Sequence, residues 1–286
     1  MNNTELIDRF TDHLKSNNKT VSTIVAYRKD IEQLSESNVN KSLINLTSSD
    51  IIYFLDYLKN SKKISLKTLS RKLNSIRTFY KFLEVNKTID VNPSTTVNHP
   101  KVKNKKQRVL TKYEWLALRE VSRDNERLFC MIELLLQTGL RISELSKLKL
   151  RDVNLDTPKP YLTVRSYSSN IERQVPVNLK LANVVNKYIL NNPDLDDTLF
   201  KTKNGKPIEI RNIRSSIDRA LVKAEIKGAC VNDLRNTFIV YQLSQGMSLS
   251  KVAEIVGHRN VATTNKYLSL LDKKYKPSGM DEVNEL

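Results

Sequence analysis

The sequence predicts a mainly α-helical protein with two domains: an N-terminal helical bundle, and a mostly helical second domain that carries one small antiparallel sheet. Three observations lead to this prediction. Apolar residues recur at helical spacing along most of the chain, one pair of short apolar segments flanks a polar turn, and a basic segment with prolines interrupts the helical pattern. At 286 residues, the chain is long enough for two domains that each bury a core.

Helical periodicity dominates the first 98 residues, with amphipathic segments expected at 6–14, 20–34, 49–58 and 62–83. In the last segment, apolar residues at steps of three and four predict one inward-facing stripe: Leu66, Leu69, Leu73, Ile76, Tyr80 and Leu83. Four basic residues lie off this stripe, namely Lys67, Arg71, Arg77 and Lys81. Such residues either form a solvated surface or meet phosphates along a DNA groove, and the basic charge of the whole chain favours DNA.

A linker is expected at residues 99–107, which divides the chain into domains at 1–98 and 108–286. Pro93 and Pro100 interrupt helix, and the basic residues that follow repel one another, so the segment is expected to be extended. Lys103, Lys105 and Lys106 are candidates to cross the DNA backbone, and a disordered linker is the alternative.

The second domain alternates buried and amphipathic segments. Residues 128–136 are nearly all apolar and predict a buried helix that ends at Gly139, with Arg141 presented at its tip. Segments 161–165 and 173–177 flank a polar turn and predict a β-hairpin. Further helices are expected at 179–190, 211–225, 233–244, 248–256 and 261–271.

Composition favours a polyanionic partner, because the net charge is +17 and the sequence pI is about 9.7. No apolar run approaches the length of a membrane span, and the polar N-terminus is not a signal peptide, so a soluble cytoplasmic protein is expected. Cys130 and Cys230 are the only cysteines, which argues for a reducing compartment rather than a disulfide framework.

Four short motifs carry the chemistry. The segment Thr138–Leu145 reads TGLRISEL and contains Arg141, and the segment Asp233–Arg235 reads DLR. Arg235 lies 23 residues before His258, and Tyr267 lies nine residues after that histidine. Two guanidinium groups, an imidazole and a phenol are what a nucleophilic attack on a phosphodiester requires.

In these motifs, in their order and in their spacing, the chain resembles the tyrosine recombinases, or phage integrase family, in the short two-domain Xer-like form. The resemblance implies a core-binding domain followed by a catalytic domain. It also implies that Arg141 and Arg235 clamp the scissile phosphate, that His258 assists, and that Tyr267 forms a covalent 3′-phosphotyrosyl bond without metal or ATP. Glu144 is expected either to brace Arg141 or to pair with a surface lysine.

Two positions depart from the family pattern. Asn232 stands where the family usually has histidine, and Ser168 aligns with the hairpin lysine thought to protonate the departing 5′-oxygen. Asparagine donates a hydrogen bond but carries no proton near neutral pH. Two functions therefore stay open: an active recombinase that the missing lysine slows, and a cleavage-deficient DNA-binding relative that acts as an accessory or regulatory subunit.

The resemblance also implies partners. These are double-stranded DNA and a homotetramer that joins two DNA sites through a four-way junction. The partly apolar end of the chain, residues 280–286, is expected to dock on a neighbouring protomer, and a frayed terminus is the alternative.

Overall fold

The computed structural model describes residues 2–102, 107–166, 172–195, 197–202, 204–271, 276–277 and 282–286. Within these residues the protein is mainly helical with one small antiparallel sheet, which confirms the predicted fold class. The chain divides into two compact units, Met1–Lys105 and Lys106–Leu286. Among the described residues, no helix combines the length and the apolar character needed to cross a bilayer.

The N-terminal unit contains four α-helices, each begun by a polar residue whose side chain accepts a hydrogen bond from the first turn. They are α1 (Asn3–Ser16), α2 (Val21–Glu36), α3 (Ser48–Asn60) and α4 (Leu66–Val85). Their apolar faces meet in one core, in which Phe10 packs edge to face against Phe79. The predicted four-helix bundle is therefore confirmed.

Helix α4 differs from its prediction at the N-terminal end. Ser65 caps the helix by accepting from the backbone N–H of Thr68, so the helix begins at Leu66 rather than at residue 62. Leu66 was expected on the buried stripe, but it is 39% exposed because it lies in the first turn, beyond the core. The other five stripe residues are buried, as predicted.

A buried charge network joins α2 to α4. The carboxylate of Asp30 accepts hydrogen bonds from Arg71, at 2.6 and 2.9 Å, from Lys72 at 2.7 Å, and from Ser75. Burial by itself raises the pKa of Asp30, but the hydrogen bonds from Arg71, Lys72 and Ser75 outweigh burial and lower it. Lys72 is buried as well, and this carboxylate is its partner in the ion pair.

The Asp30 network predicts that Asp30→Asn lowers the free energy of unfolding by about 3 kcal/mol, since Lys72 would keep a buried charge without its partner. Because folding lowers the pKa of Asp30, this stabilisation is present above the unfolded-state pKa of about 4 and is lost as the pH falls below it. Denaturant titration at neutral and acidic pH measures both effects. Asp12→Asn, which removes only an exposed ion pair with Lys15, is the control, and an equal loss in both variants contradicts the prediction.

The C-terminal unit begins with three helices, of which the middle one is buried. These are α5 (Lys112–Ser122), α6 (Glu126–Thr138) and the single turn α7 (Ile142–Leu145). Helix α6 is the predicted apolar helix, and it packs against helices on several sides. A three-stranded antiparallel sheet follows in the order β1 (Val153–Asn154), β2 (Tyr161–Val164) and β3 (Arg173–Pro176).

The remaining helices complete the unit: α8 (Leu179–Leu190), α9 (Ile210–Lys223), α10 (Val231–Ser244), α11 (Leu249–Val256) and α12 (Val261–Asn265). Helix α10 packs against α6 and α11. This packing brings the motif with Arg235 and the motif with His258 beside the motif with Arg141. A 3₁₀ helix, Lys266–Leu270, directly follows α12. The predicted continuous helix at 261–271 is therefore wrong, because the chain tightens to 3₁₀ geometry after Asn265.

Helix α5, strand β1 and helix α7 had no prediction. Helix α5 carries a clear signal, since Thr111 and Glu114 form a capping box at its start. Strand β1 has two residues and α7 has four, which is too short for periodicity to reveal.

The C-terminal residues 282–286 pack on the same unit. Gln242 of α10 exchanges two hydrogen bonds with the backbone of Asn284, at 2.7 and 2.9 Å, and Tyr241 donates to the carbonyl of Glu285 at 2.6 Å. The side chains of Val283 and Leu286 are buried in the core of the unit. Residues 272–275 and 278–281 lie outside the described residues.

Candidate active site

The centre of the site is the C-terminus of α11. A helix leaves its last carbonyls without partners inside the helix, and here they are satisfied in two ways. Gly257 adopts a left-handed conformation with φ of 70°, so that its own N–H and the N–H of His258 fold back onto the carbonyls of Glu254 and Ala253. The next three carbonyls point towards arginine side chains.

Three arginines bind these carbonyls. Arg173 donates from Nε to Ile255 O at 2.6 Å, and Arg235 donates from Nη2 to Val256 O at 2.7 Å. Arg141 donates to Val256 O at 3.3 Å and to Gly257 O at 2.8 Å. Cations are favoured at this end of a helix because the partial charge there is negative. The helix terminus therefore holds the three guanidinium groups together.

Two glycines make this approach possible. Gly139 ends α6 with φ of 62°, and its carbonyl accepts a further hydrogen bond from Arg235. A Cβ on Gly139 would lie 2.5 Å from the Phe238 ring, and a Cβ on Gly257 would lie 2.8 Å from the Arg173 guanidinium. Both positions therefore require glycine for space as well as for backbone conformation.

Glu144 is the carboxylate of this cluster. It receives hydrogen bonds from Arg173 at 2.9 and 3.0 Å, from Arg141 Nη1 at 3.0 Å, and from the backbone N–H of Arg141 at 2.8 Å. Burial by itself raises the pKa of Glu144, but these hydrogen bonds and positive charges outweigh burial and lower it. Glu144 is thus an ionised, 2% exposed brace for two arginines rather than a surface partner for a lysine.

Positive charge exceeds negative charge within the cluster. Within the described residues, Glu144 accepts hydrogen bonds from Arg141 and Arg173, which also bind carbonyls of α11 and its cap, whereas Arg235 donates to the carbonyls of Gly139 and Val256. Burial, and then the charge of Arg141, lower the pKa of Arg235 to about 9, which leaves it protonated at neutral pH. The side chain of Arg141 is 33% exposed and reaches solvent. The arrangement is suited to an anion that arrives beside Arg141.

His258 follows the glycine cap and is neutral. Burial, together with the positive charges of Arg235, Arg141 and Arg173, lowers the pKa of His258 to about 4. Its Nδ1 lies 2.9 Å from the hydroxyl of Thr264 in α12, and its ring stacks on the ring of Tyr267 with 6.2 Å between centroids. A neutral imidazole beside guanidinium groups retains a lone pair that can accept a proton.

Tyr267 lies in the 3₁₀ helix and is only 5% exposed. Its hydroxyl donates a hydrogen bond to Oδ1 of Asn236 at 2.9 Å. Burial raises the pKa of Tyr267, although the charges of Arg235 and Arg141 pull it down. The phenol therefore carries its proton at neutral pH and faces the field of two arginines.

The described structure thus brings Arg141, Arg235, His258, Tyr267 and Glu144 into one cluster. Asn232 lies exposed in the first turn of α10. Ser168 lies outside the described residues, as do Lys103, Lys105 and Lys106. Within the part of the chain that the structure describes, no three His, Cys, Asp or Glu side chains group to hold a metal ion.

The basic residues predicted on α4 have different surroundings. Lys67 and Lys81 are exposed, whereas Arg71 pairs with Asp30 while remaining 44% exposed. Arg77 is half-buried and donates to the carbonyl of Val97 at 2.6 Å.

The sequence did not predict two residues of the site, Arg173 and Asn236. Arg173 begins the second segment of the predicted hairpin, and nothing in the neighbouring sequence indicates that it reaches Glu144 and α11. Asn236 follows Arg235 directly, but asparagine within a helix carries no signal of its own. Both contacts join segments far apart in the chain, at separations of 29 and 31 residues.

The chain is similar to known proteins over most of its length. The model of the phage integrase family matches residues 102–274, and that of the phage integrase N-terminal SAM-like domain matches residues 6–89. A tyrosine recombinase of Thermosipho africanus (strain TCF52B) is 29% identical over 283 residues, which cover 94% of this chain and 96% of the relative. Tyrosine recombinase XerC of Listeria monocytogenes serotype 4b (strain F2365) is 30% identical over 294 residues, which cover 96% of each.

The fold is also found among solved structures. The crystal structure of a lambda integrase dimer bound to a COC′ core site matches with a TM-score of 0.79 at 17% identity, covering 93% of this chain and 95% of that chain. The chain described here belongs to the phage integrase family.

The surroundings of His258 predict that it titrates at about pH 4, well below the ordinary histidine. Since folding lowers this pKa, stability that depends on neutral His258 is lost as the pH falls below about 6.5. The chain has only three histidines, so NMR of ¹³C-labelled histidine resolves them, and His258→Gln identifies the signal. A His258 signal that titrates near pH 6.5 in the free protein contradicts the prediction.

Proposed function

We propose that this protein is a site-specific DNA recombinase that cleaves and rejoins DNA through a covalent 3′-phosphotyrosyl intermediate and a four-way junction, without metal or ATP. One observation carries the proposal: a buried tyrosine hydroxyl lies in the field of an arginine cluster whose positive charge exceeds its negative charge. A phosphodiester supplies the missing negative charge, and it gains more in the transition state.

Arg141 and Arg235 are proposed to clamp the non-bridging oxygens of the scissile phosphate. Arg235 is held by two carbonyls and is nearly buried, so it supplies a fixed charge. Arg141 is the more exposed of the two and meets the phosphate first. Removal of one such donor typically costs about a hundredfold to a thousandfold in rate.

Tyr267 is proposed to attack the phosphorus. As its oxygen bonds to phosphorus, the bond from phosphorus to the 5′-oxygen breaks, and the energy of the ester is kept for rejoining. His258 is proposed to hydrogen-bond the phosphate or to handle the proton near Tyr267, since it starts neutral. Asn232, exposed at the start of α10, is proposed to donate to a phosphate oxygen.

The proton for the leaving 5′-oxygen has no assigned source. Ser168 stands at the position of the family's lysine, and a serine hydroxyl is a poor acid near neutral pH. Loss of general acid catalysis costs roughly a hundredfold to ten-thousandfold in rate. We therefore propose that turnover is slow unless a lysine from elsewhere enters the site.

DNA is proposed to lie along α4 of the N-terminal unit and along the linker. The candidate contacts on α4 are Lys67, Arg71, Arg77 and Lys81, and those in the linker are Lys103, Lys105 and Lys106. The pair with Asp30 holds Arg71 in a fixed orientation while leaving it partly exposed, which suits a contact with phosphate.

The direct test of this function is whether DNA cleavage depends on Tyr267. The target is first selected from random duplexes by binding and sequencing, and a nick is then placed beside the cleavage position to trap the covalent complex. The wild-type protein is expected to form a protein–DNA adduct, and Tyr267→Phe is expected to form none while binding with equal affinity, because only the nucleophilic oxygen is lost. Adduct formation is followed on denaturing gels.

The second candidate function is the cleavage-deficient relative, favoured by Ser168 and Asn232. Specific binding without any adduct from the wild-type protein would establish it and would sink the recombinase proposal.

We further propose a tetramer assembled on two DNA sites, in which residues 282–286 dock on a neighbouring protomer. The groove beside α10 that holds Asn284 and Leu286 within one chain would receive the same residues from a second copy. Exchange of the end of the chain then links assembly to the segment that carries Tyr267.

Deletion of residues 277–286 is expected to impair pairing of two sites more than binding to one site, because every residue proposed to contact DNA is retained. Band-shift assays with one-site and two-site complexes measure both steps. Gln242→Leu, which removes the hydrogen bonds to Asn284, serves as a milder variant and should act in the same direction. Unchanged assembly in the deletion contradicts tail exchange.

A further inference from the structure

Asn236 of α10 is half-buried and makes three polar contacts. Its Oδ1 accepts the Tyr267 hydroxyl at 2.9 Å. Its Nδ2 donates to the carbonyl of Arg108 at 3.1 Å and to Oδ1 of Asp233 at 3.2 Å. A single carboxamide thus joins the tyrosine to two other points of the same unit.

These partners fix the direction of the amide. The carbonyl of Arg108 and the carboxylate of Asp233 are acceptors, so the nitrogen of Asn236 must face them. The oxygen then faces the phenol, which is the group in contact that has a hydrogen to give. Turning the amide over would oppose its oxygen to both acceptors, so the phenol is the donor.

The amide is also anchored to a rigid element. Asp233 caps the start of α10 through its other oxygen, which accepts from the backbone N–H of Cys230 at 2.8 Å. Asn236 and Asp233 are one turn apart on that helix, and Arg235 lies between them in the chain. The acceptor for Tyr267 is therefore carried by the same helix that carries one arginine of the cluster.

Tyr267 itself has weaker backbone support. It lies in a five-residue 3₁₀ helix, whose hydrogen-bond geometry is poorer than that of an α-helix. The position of its oxygen then depends on side-chain contacts, namely the stacked ring of His258 and the hydrogen bond to Asn236.

We propose that Asn236 is a positioning residue for the nucleophile: by accepting the phenolic hydrogen, it keeps the Tyr267 oxygen turned towards Arg141 and Arg235. This inference rests on the proposed function, in which Tyr267 attacks the phosphate. The amide oxygen is too weak a base to take the proton, so Asn236 orients the phenol and carries no charge in the reaction. Its bond to the phenol is released when the oxygen bonds to phosphorus and the proton leaves.

The test compares Asn236→Leu with Asn236→Asp in single-turnover cleavage of the nicked target duplex. Leucine removes the acceptor at similar volume, whereas aspartate keeps acceptor oxygens for the phenol but sets a second carboxylate beside Asp233. Asn192→Leu is the matched control. It removes another partly buried hydrogen bond from an asparagine side chain, here to the carbonyl of Tyr188 at 2.8 Å.

Asn236→Leu is expected to slow adduct formation about tenfold while DNA affinity stays within about twofold of wild type, and Asn192→Leu is expected to leave both unchanged. Asn236→Asp is expected to cleave faster than Asn236→Leu, since it still accepts from Tyr267. A merely structural role reverses that order, because the added charge beside Asp233 destabilises the fold.

Melting temperatures are measured for every variant. If Asn236→Leu or Asn236→Asp melts at a lower temperature than the wild-type protein, the pair is replaced by Asn236→Met and Asn236→Gln. Of these two variants, only Asn236→Gln keeps the acceptor. Wild-type cleavage with an Asn236→Leu rate within about twofold of wild type overturns the role of Asn236 alone. The role of Asn236 is also overturned if the variant that keeps the acceptor forms the adduct no faster than the variant that lacks it. No adduct from the wild-type protein overturns the proposed function and this inference together.

Discussion

The site depends on how the last carbonyls of α11 are satisfied. Ile255, Val256 and Gly257 present three carbonyl oxygens at a helix end, and guanidinium groups from three other parts of the chain bind them. Unpaired buried carbonyls are costly, and so are unpaired buried cations. Here the carbonyls and the guanidinium groups satisfy one another. The arginines are therefore held together without enough carboxylates to neutralise them.

This arrangement leaves the cluster prepared for an anion. If carboxylates had gathered the arginines, ion pairs would have to break before a phosphate could bind, and that rearrangement would raise the barrier. Glu144 supplies one carboxylate, enough to brace Arg141 and Arg173 but not to cancel the positive field. Burial and then this residual field lower the pKa of His258, and the same field opposes the rise that burial causes in the pKa of Tyr267.

Much of the site could be predicted from sequence because its chemistry lies in short local motifs. Arg141, Arg235, His258 and Tyr267 each belong to a segment whose residues and spacing are informative, and helical periodicity gave the bundle and the buried α6. Arg173 and Asn236 could not be found in this way, since their roles exist only once β3 meets α11 and α10 meets the 3₁₀ helix. Likewise, periodicity placed Leu66 on the buried stripe, but the Ser65 cap put it in an exposed first turn.

The remaining contacts tie the phenol of Tyr267 to the same helix end. His258 leaves the cap of α11 and contacts Thr264 of α12, its ring stacks on Tyr267, and Tyr267 donates to Asn236 of α10. Helix α10 also carries Arg235, which binds the carbonyl of Val256 at the end of α11. The path is closed, so a shift of any one member moves the phenol relative to the guanidinium groups. Substitutions within this ring are therefore coupled rather than additive, whereas substitutions of Lys67 or Lys81, exposed on α4 in the other unit, are expected to add independently to them.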